Sequence, residues 1–253
     1  MRRACRTCIP LVTIMAATAE STPFGQGLGP AQLAKLQAWF SPAFPVGGFS
    51  YSHGLEWAVE NEGVQDARAL AQWVEGALRY GAGRCDAILL GLVWKAVRVQ
   101  DWHEAAELRE LAAALQPSAE RRLESLHQGS AFLCAVEAGW PHPVLSQVRT
   151  HCPGELAYPV AIGAATAAHG LPLDAVLVAW LHAFCANLVS AGVRLIPLGQ
   201  TDGLRILAAL EPLFGPISRA AQAAEADDLG SACLLADIAS MCHETQYTRL
   251  FRS

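Results

Sequence analysis

The strongest constraint on the fold is a run of nineteen residues without a charged side chain, 175–193, which lies between Asp174 and Arg194. About twenty apolar residues in a helix are enough to span a bilayer. However, His182 and Asn187 lie near the middle of the run, where polar groups are costly in lipid, and no second segment of this length is equally apolar. The run therefore predicts a buried helix at the centre of a helical protein or at a subunit interface. A small membrane-associated protein remains the alternative.

The rest of the chain shows successive amphipathic helical patterns rather than the alternation typical of strands. Apolar types make up 53% of the residues and charged types 16%, which excludes a disordered chain, and alanine and leucine favour helix. The net charge of −5 argues against nucleic-acid binding. No linker divides 31–253, so we predict one all-α domain of eight to ten helices. The predicted helices start near Ser52, Asp66 and Ser118, and cover 88–97, 102–115, 154–169, 172–193, 201–224 and 231–242.

The N-terminal residues 1–30 read as a flexible extension. Arginines precede an apolar stretch at 8–17 and small residues follow it, which is the pattern of a weak signal peptide. The alternative is an upstream start codon, with the true product beginning at Met15. We favour a start-site artefact, because nothing further along the chain indicates export.

Motifs for catalysis are incomplete in this sequence. There is no phosphate-binding loop, and the helical start His103-Glu104 lacks the second histidine of a zinc protease, since residue 107 is Glu. The motifs therefore indicate no reaction centre and no cofactor site in this chain. A metal-dependent hydrolase remains an alternative, because three His/Cys pairs could each supply two ligands. These pairs are His151–Cys152, His182–Cys185 and Cys242–His243.

Three stretches are unusual for residues that serve packing alone. The stretch 41–56 (SPAFPVGGFSYSHGLE) is a stiff loop with two prolines and a glycine pair that leads into a helix. The stretch 194–203 (RLIPLGQTDG) connects two helices directly after the charge-free run. The C-terminal tail, residues 243–253 (HETQYTRLFRS), alternates aromatic residues with arginine, and these types are enriched where proteins meet.

The energetics of the tail predict that it needs an external surface. Ordering one residue costs about 1–2 kcal/mol of backbone entropy. Burying Tyr247, Leu250 and Phe251 returns about 1.5–3 kcal/mol each at most. Eleven residues cannot become ordered on that margin, so we expect a partner to supply pockets and backbone partners. A frayed terminus is the alternative.

These three stretches resemble the signatures of the urease accessory protein UreF family, and the Glu120-to-Gly129 region is similar too. The resemblance covers about residues 31–253. Phe44, Gly48 and His53 stand where such proteins often carry other residues, which affects only details of the first loop.

The resemblance implies an all-helical, dimeric, cytoplasmic protein that acts as a scaffold and not as an enzyme. Such proteins join the accessory protein UreD (also called UreH), recruit the GTPase UreG and dock on apo-urease. Nickel is then handled by the complex and GTP is bound by the GTPase. The resemblance implies no membrane or nucleic-acid partner. We expect deletion of residues 241–253 to leave a folded protein that no longer retains UreD/UreH. The expected partner-binding residues are Ser41, Pro45, Gly47, Phe49, Ser50, Tyr51, Gly54, Glu56, Arg194, Pro197, Gly199, Gln200, His243, Glu244, Thr245, Gln246, Tyr247, Arg249, Leu250, Phe251 and Arg252.

Overall fold

The structure is a computed structural model that describes residues 28–61 and 63–253, and every regular element in these residues is helical. The prediction of an all-α fold is confirmed. Ten α-helices have nine residues or more, and one further helix has six. In chain order they are α1 (Pro30–Trp39), α2 (Leu55–Glu60), α3 (Ala67–Tyr80), α4 (Ala82–Val99), α5 (Trp102–Ala114), α6 (Ala119–Gly139), α7 (Pro143–His151), α8 (Tyr158–Ala168), α9 (Leu173–Leu195), α10 (Gln200–Ala223) and α11 (Leu234–His243), with short 3-10 helices at Gly48–Ser50 and Ala226–Asp228.

Side-chain caps set several of these helix starts where the sequence predicts them. The Asp66 carboxylate accepts a hydrogen bond from the Ala69 N–H at 2.8 Å at the start of α3. The Ser118 hydroxyl accepts one from the Arg121 N–H at 3.2 Å at the start of α6. Each cap gives an acceptor to an amide that has no partner within its own helix.

Two of the helices that begin later than the sequence patterns predict are preceded by a glycine with a positive φ. The helix expected near Ser52 begins at Leu55, because Gly54 takes a positive φ of 76° that an ordinary residue rarely adopts. The helix expected from residue 154 begins at Tyr158, because Gly154 has a φ of 93° and the following residues are not helical.

Helix α9, which contains the charge-free run, packs in the core as predicted. It contacts α2, α3, α4, α8 and α10, and most of its apolar side chains are buried. By length and composition, α9 is the one helix among the described residues that could cross a membrane, with a mean hydropathy of 1.8. Its burial against five other helices is the environment that a core helix requires.

Helix α4 is the second central element, because it contacts α3, α5, α8, α9 and α10. Its approach to α8 depends on Gly163, where an added Cβ would lie 2.7 Å from the Leu90 carbonyl oxygen. Small residues therefore let these two helices pack closely.

The predicted N-terminal extension lies largely outside the described residues, as do the signal-peptide pattern and Met15. Pro30, the last residue of the predicted extension, is the first residue of α1. Helix α1 packs on the shared hydrophobic core through Leu36 and Trp39.

Candidate functional site

The three stretches singled out in the sequence meet at one place on the molecule. The guanidinium carbon of Arg194 lies 3.6 Å from the centroid of the Phe49 ring and 4.4 Å from that of Phe251. One residue from each stretch thus enters a single cation–π arrangement. Burial lowers the pKa of Arg194. The 41–56 loop, the end of α9 and the tail therefore form one continuous site.

Glu56 holds the tail backbone against helix α2. Its Oε1 accepts a hydrogen bond from the Leu250 N–H at 2.6 Å, and its Oε2 accepts one from the Phe251 N–H at 2.8 Å. Glu56 is 7% exposed. Bonds from neutral donors to a buried carboxylate are about twice as strong as bonds between neutral groups. Glu56 therefore explains how an irregular segment can be held at a buried position.

His243 ties the end of α11 to two carboxylates. Its Nδ1 lies 2.6 Å from Glu120 Oε2, its Nε2 lies 3.2 Å from Glu56 Oε2, and its side chain is fully buried. His243 thus bridges the carboxylates of two helices. Arg249 Nη1 lies 2.5 Å from Glu120 Oε1, so the tail adds a guanidinium to the same carboxylate.

The last residues of the tail dock on the 41–56 loop. A main-chain oxygen of Ser253 accepts hydrogen bonds from the Ser52 N–H at 2.7 Å and the Ser52 hydroxyl at 2.6 Å. The Arg252 N–H donates to the Ser50 carbonyl at 2.8 Å. The Ser253 hydroxyl donates to Glu124 at 2.6 Å. Loop, tail and helix α6 are thus joined by backbone and side-chain bonds.

Glu124 is the buried charge beneath this junction. Besides the Ser253 bond, it accepts hydrogen bonds from His53 Nε2 at 2.9 Å, from Gln128 Nε2 at 2.9 Å, and from the guanidinium of Arg121. Burial by itself would raise the pKa of Glu124, but Arg121 and His53 lower it to about 2. Burial and Arg121 together lower the pKa of His53. Glu124 is therefore a fixed anion with a full set of partners.

The structure corrects the expectation that the tail needs an external surface to become ordered. Phe251 is 3% exposed and Ser253 is 1% exposed, and both are covered by this chain itself. Arg249 pairs with Glu120, and Phe251 packs against Arg194. We expected these two tail residues, Arg249 and Phe251, to contact a partner protein instead. The expectation was wrong because Glu56, Ser50 and Ser52 of this chain supply the backbone partners that we assigned to another protein.

The outer side of the tail has a different character. Tyr247 is fully exposed and Leu250 is 66% exposed, so neither contributes a buried contact to the fold. Helix α11, which directly precedes the tail in the chain, carries a row of exposed apolar side chains that the sequence analysis did not identify. We name these residues the outward face, and they are Leu234, Leu235, Ile238, Met241, Tyr247 and Leu250. Exposed apolar groups that lie together typically mark a surface that binds another protein.

The remaining predicted site residues occupy supporting or separate positions. Glu244 Oε1 accepts a hydrogen bond from the Ala119 N–H at 2.7 Å at the start of α6. Tyr51 belongs to the 41–56 loop, and its side chain is buried. Ser41, Pro45, Gly47 and Gly54 shape the loop, where both glycines have a positive φ. Thr245 and Gln246 form the turn after α11, while Pro197, Gly199 and Gln200 are exposed where α10 begins.

Several residues of this site were not among the predicted ones. Ser52, Glu120 and Glu124 supply many of the contacts that fix the tail, and Arg121 pairs with Glu124. A signal was present in the sequence, because Glu120 and Glu124 are four residues apart and therefore share one face of α6. Two like charges on one helix face destabilise it unless positive partners are nearby.

Within the described residues, Cys242–His243 is the His/Cys pair that meets carboxylates, because the two ring nitrogens of His243 contact Glu120 and Glu56. The described part of the chain contains no group of three or more His, Cys, Asp or Glu residues that could hold a metal ion. His151 stacks on Trp102, with ring centroids 5.2 Å apart. Burial raises the pKa of Cys185 to about 12, while its neighbour His182 faces solvent.

Comparison with known proteins decides the family. The family model described as UreF matches residues 64–211, more than half of the chain. The chain belongs to the UreF family. A urease accessory protein UreF of Rhodopseudomonas palustris (strain BisB5) is 53% identical over 223 residues, which cover 88% of this chain and 92% of the relative. The protein of the same name from strain TIE-1 is 50% identical over 237 residues, 94% of this chain and 98% of the relative.

A relative from another genus gives the same result. The urease accessory protein UreF of Methylorubrum populi is 48% identical over 219 residues, which cover 87% of this chain and 98% of the relative. The similarity to these relatives therefore covers most of the chain and not just the segment matched by the family model. This confirms the family that the three stretches indicated.

Proposed function

We propose that this UreF-family chain is a scaffold in urease maturation, which joins UreD/UreH, recruits the GTPase UreG and docks on apo-urease. In this proposal nickel is the cargo of the complex, GTP is bound by UreG, and this chain supplies surfaces and no reaction centre. The proposal also includes a cytoplasmic location and a homodimer. Sedimentation of the purified chain would measure its oligomeric state.

The observation that carries the proposal is the division of the tail into two sides. Phe251 and Ser253 are buried against the chain itself, and Glu56 fixes the backbone between α2 and the tail. Tyr247 and Leu250 remain exposed beside the exposed apolar side of α11. A binding surface that is already ordered loses less conformational entropy when its partner arrives. The outward face is therefore the part of the site that we assign to UreD/UreH.

The roles of the other two stretches follow from their contacts. The 41–56 loop receives the end of the tail through Ser50 and Ser52, and Arg194 clamps the rings of Phe49 and Phe251. These residues position the tail. The exposed residues Pro197, Gly199 and Gln200 offer a separate contact for a further partner.

The test uses a host from which the gene for this chain has been removed. Restoring the full chain should restore nickel in the urease active site, as well as copurification of UreD/UreH and UreG. A chain that ends at residue 245 should remain folded and restore neither. This boundary replaces the deletion of 241–253, because His243 is fully buried and that deletion would remove the end of α11.

The matched control is Val99→Ala, which changes an exposed apolar residue at the end of α4. This variant should restore nickel loading fully. If urease in the host without the gene carries its normal nickel content, the proposed function is wrong. If the shortened chain copurifies with UreD/UreH as well as the full chain does, the assignment of the tail is wrong.

A further inference from the structure

A cavity of about 220 Å³ lies beneath the 41–56 loop, between α4, α6 and α9. It is separate from the outward face. Six aromatic side chains contribute to its wall, and ligand cavities in proteins are commonly lined in this way. These residues are Trp39, Phe40, Phe49, Tyr158, Trp180 and Phe184.

Asp86 is the one carboxylate at this cavity without a partner among the described residues. It lies on α4, is 6% exposed, and its side chain forms no hydrogen bond or ion pair in the described part of the chain. Burial raises its pKa to about 7. The other charges at the wall, Arg121 and Glu124, already pair with each other. Asp86 therefore supplies the uncompensated negative charge of the cavity.

His53 adds a second acceptor. Its Nε2 lies 2.9 Å from the ionised carboxylate of Glu124, so this nitrogen carries the proton that it donates. In the neutral ring, Nδ1 is then an acceptor, and this atom is buried without a hydrogen-bond partner. Two acceptors in the cavity wall, Asp86 and His53 Nδ1, are thus free to receive N–H groups.

Two indole groups show that the wall is incomplete without an occupant. Nε1 of Trp39 and Nε1 of Trp180 are buried and have no acceptor in the described residues, and these side chains are 1% and 4% exposed. Buried polar groups are normally hydrogen-bonded, and an indole N–H only donates, so these two groups indicate an acceptor such as a bound water in the cavity. The cavity of about 220 Å³ has room for water beside a small ligand.

The combination of groups selects one class of ligand. Aromatic faces attract organic cations, and a buried carboxylate attracts any cation. A divalent metal ion fits poorly, because the described residues contain no group of three or more His, Cys, Asp or Glu that could hold one. We propose that this cavity binds a small organic cation, an alkylammonium or a guanidinium, whose N–H groups donate to the carboxylate of Asp86 and to Nδ1 of His53.

The test titrates the full chain with benzylammonium, methylguanidinium and the neutral isostere benzyl alcohol, using calorimetry. One of the cations should bind with one site per chain, and benzyl alcohol should bind at least tenfold more weakly. Two buried indole N–H resonances should shift on binding. This comparison uses the unaltered chain and so does not depend on any variant folding.

The variant Asp86→Asn keeps the shape of the side chain and removes its charge. It should weaken cation binding at least tenfold, while Asp227→Asn, which changes an exposed carboxylate, should leave binding unchanged. Absence of saturable binding by both cations would show that the cavity holds water only and would overturn the proposal. Equal binding of benzyl alcohol, or undiminished binding by Asp86→Asn, would also overturn it.

Discussion

The contact between Glu56 and the tail gives the sharpest test of how the site is built. We consider Glu56→Gln, which keeps the size of the side chain and leaves one oxygen where the carboxylate had two. Glu56 accepts from Leu250 at 2.6 Å, from Phe251 at 2.8 Å and from His243 at 3.2 Å. An amide nitrogen cannot accept a hydrogen bond, so at least one donor loses its partner. A lost partner for a buried donor, together with the lost charge, costs about 2–3 kcal/mol.

This cost appears as faster opening of the tail. Since about 1.4 kcal/mol is a factor of ten in an equilibrium constant, the amides of Leu250 and Phe251 should exchange with solvent about 30- to 150-fold faster. Hydrogen–deuterium exchange of the tail peptide measures this directly. Glu60→Gln is the matched control, because Glu60 is exposed on the same helix. Unchanged exchange at Leu250 and Phe251 would refute the anchoring role of Glu56.

Three further changes test the packing, the buried charge and the clamp. Gly129→Ala places a Cβ 2.0 Å from the Leu156 carbonyl oxygen and should lower the free energy of unfolding by about 3 kcal/mol in a urea titration. Its control is Gly139→Ala on the same helix, which meets open space and should change the free energy of unfolding by less than about 1 kcal/mol. Equal effects of the two changes would contradict the close packing at Gly129. Because burial raises the pKa of Asp86 from 3.8 to about 7, the folded chain holds this proton more tightly than the unfolded chain, so stability should fall as pH rises from 4 to 7. Asp86→Asn should remove that part of the pH dependence and be more stable at pH 8 by at most about 4 kcal/mol, whereas an identical pH profile would contradict the account. Arg194→Lys removes the planar guanidinium that contacts the Phe49 and Phe251 rings, and the lost contact is worth about 1 kcal/mol. Hydrogen–deuterium exchange of the tail amides should therefore become about fivefold faster. No change in the exchange rate would mean that the stacking does not hold the tail.

Much of the fold follows from local sequence signals. The apolar periodicity, the caps at Asp66 and Ser118, and the charge-free run 175–193 each act within one helix or between chain neighbours. The structure places caps and the core helix α9 where these signals predict them. Helix starts at Leu55 and Tyr158 differ because the preceding turns depend on backbone conformations that the apolar pattern does not reveal.

The site could be predicted in its parts but not in its assembly. Its three stretches stood out by composition, yet the partners of the tail are far away in sequence. Glu56 and Phe251 are 195 positions apart, and Ser52 and Ser253 are 201 apart. Contacts of that range depend on how α2, α6 and α11 pack together. The docking of the tail on its own chain therefore required the tertiary structure.

The central claim is that the outward face binds UreD/UreH while the inner side of the tail holds it in place. The most direct measurement is the dissociation constant of purified UreD/UreH for the full chain and for the double variant Tyr247→Ala/Leu250→Ala. Both side chains are exposed, so the variant should unfold at the same urea concentration as the native chain. The account predicts binding weaker by at least about tenfold, since exposed aromatic residues often dominate an interface. An unchanged dissociation constant in a variant of unchanged stability would contradict it.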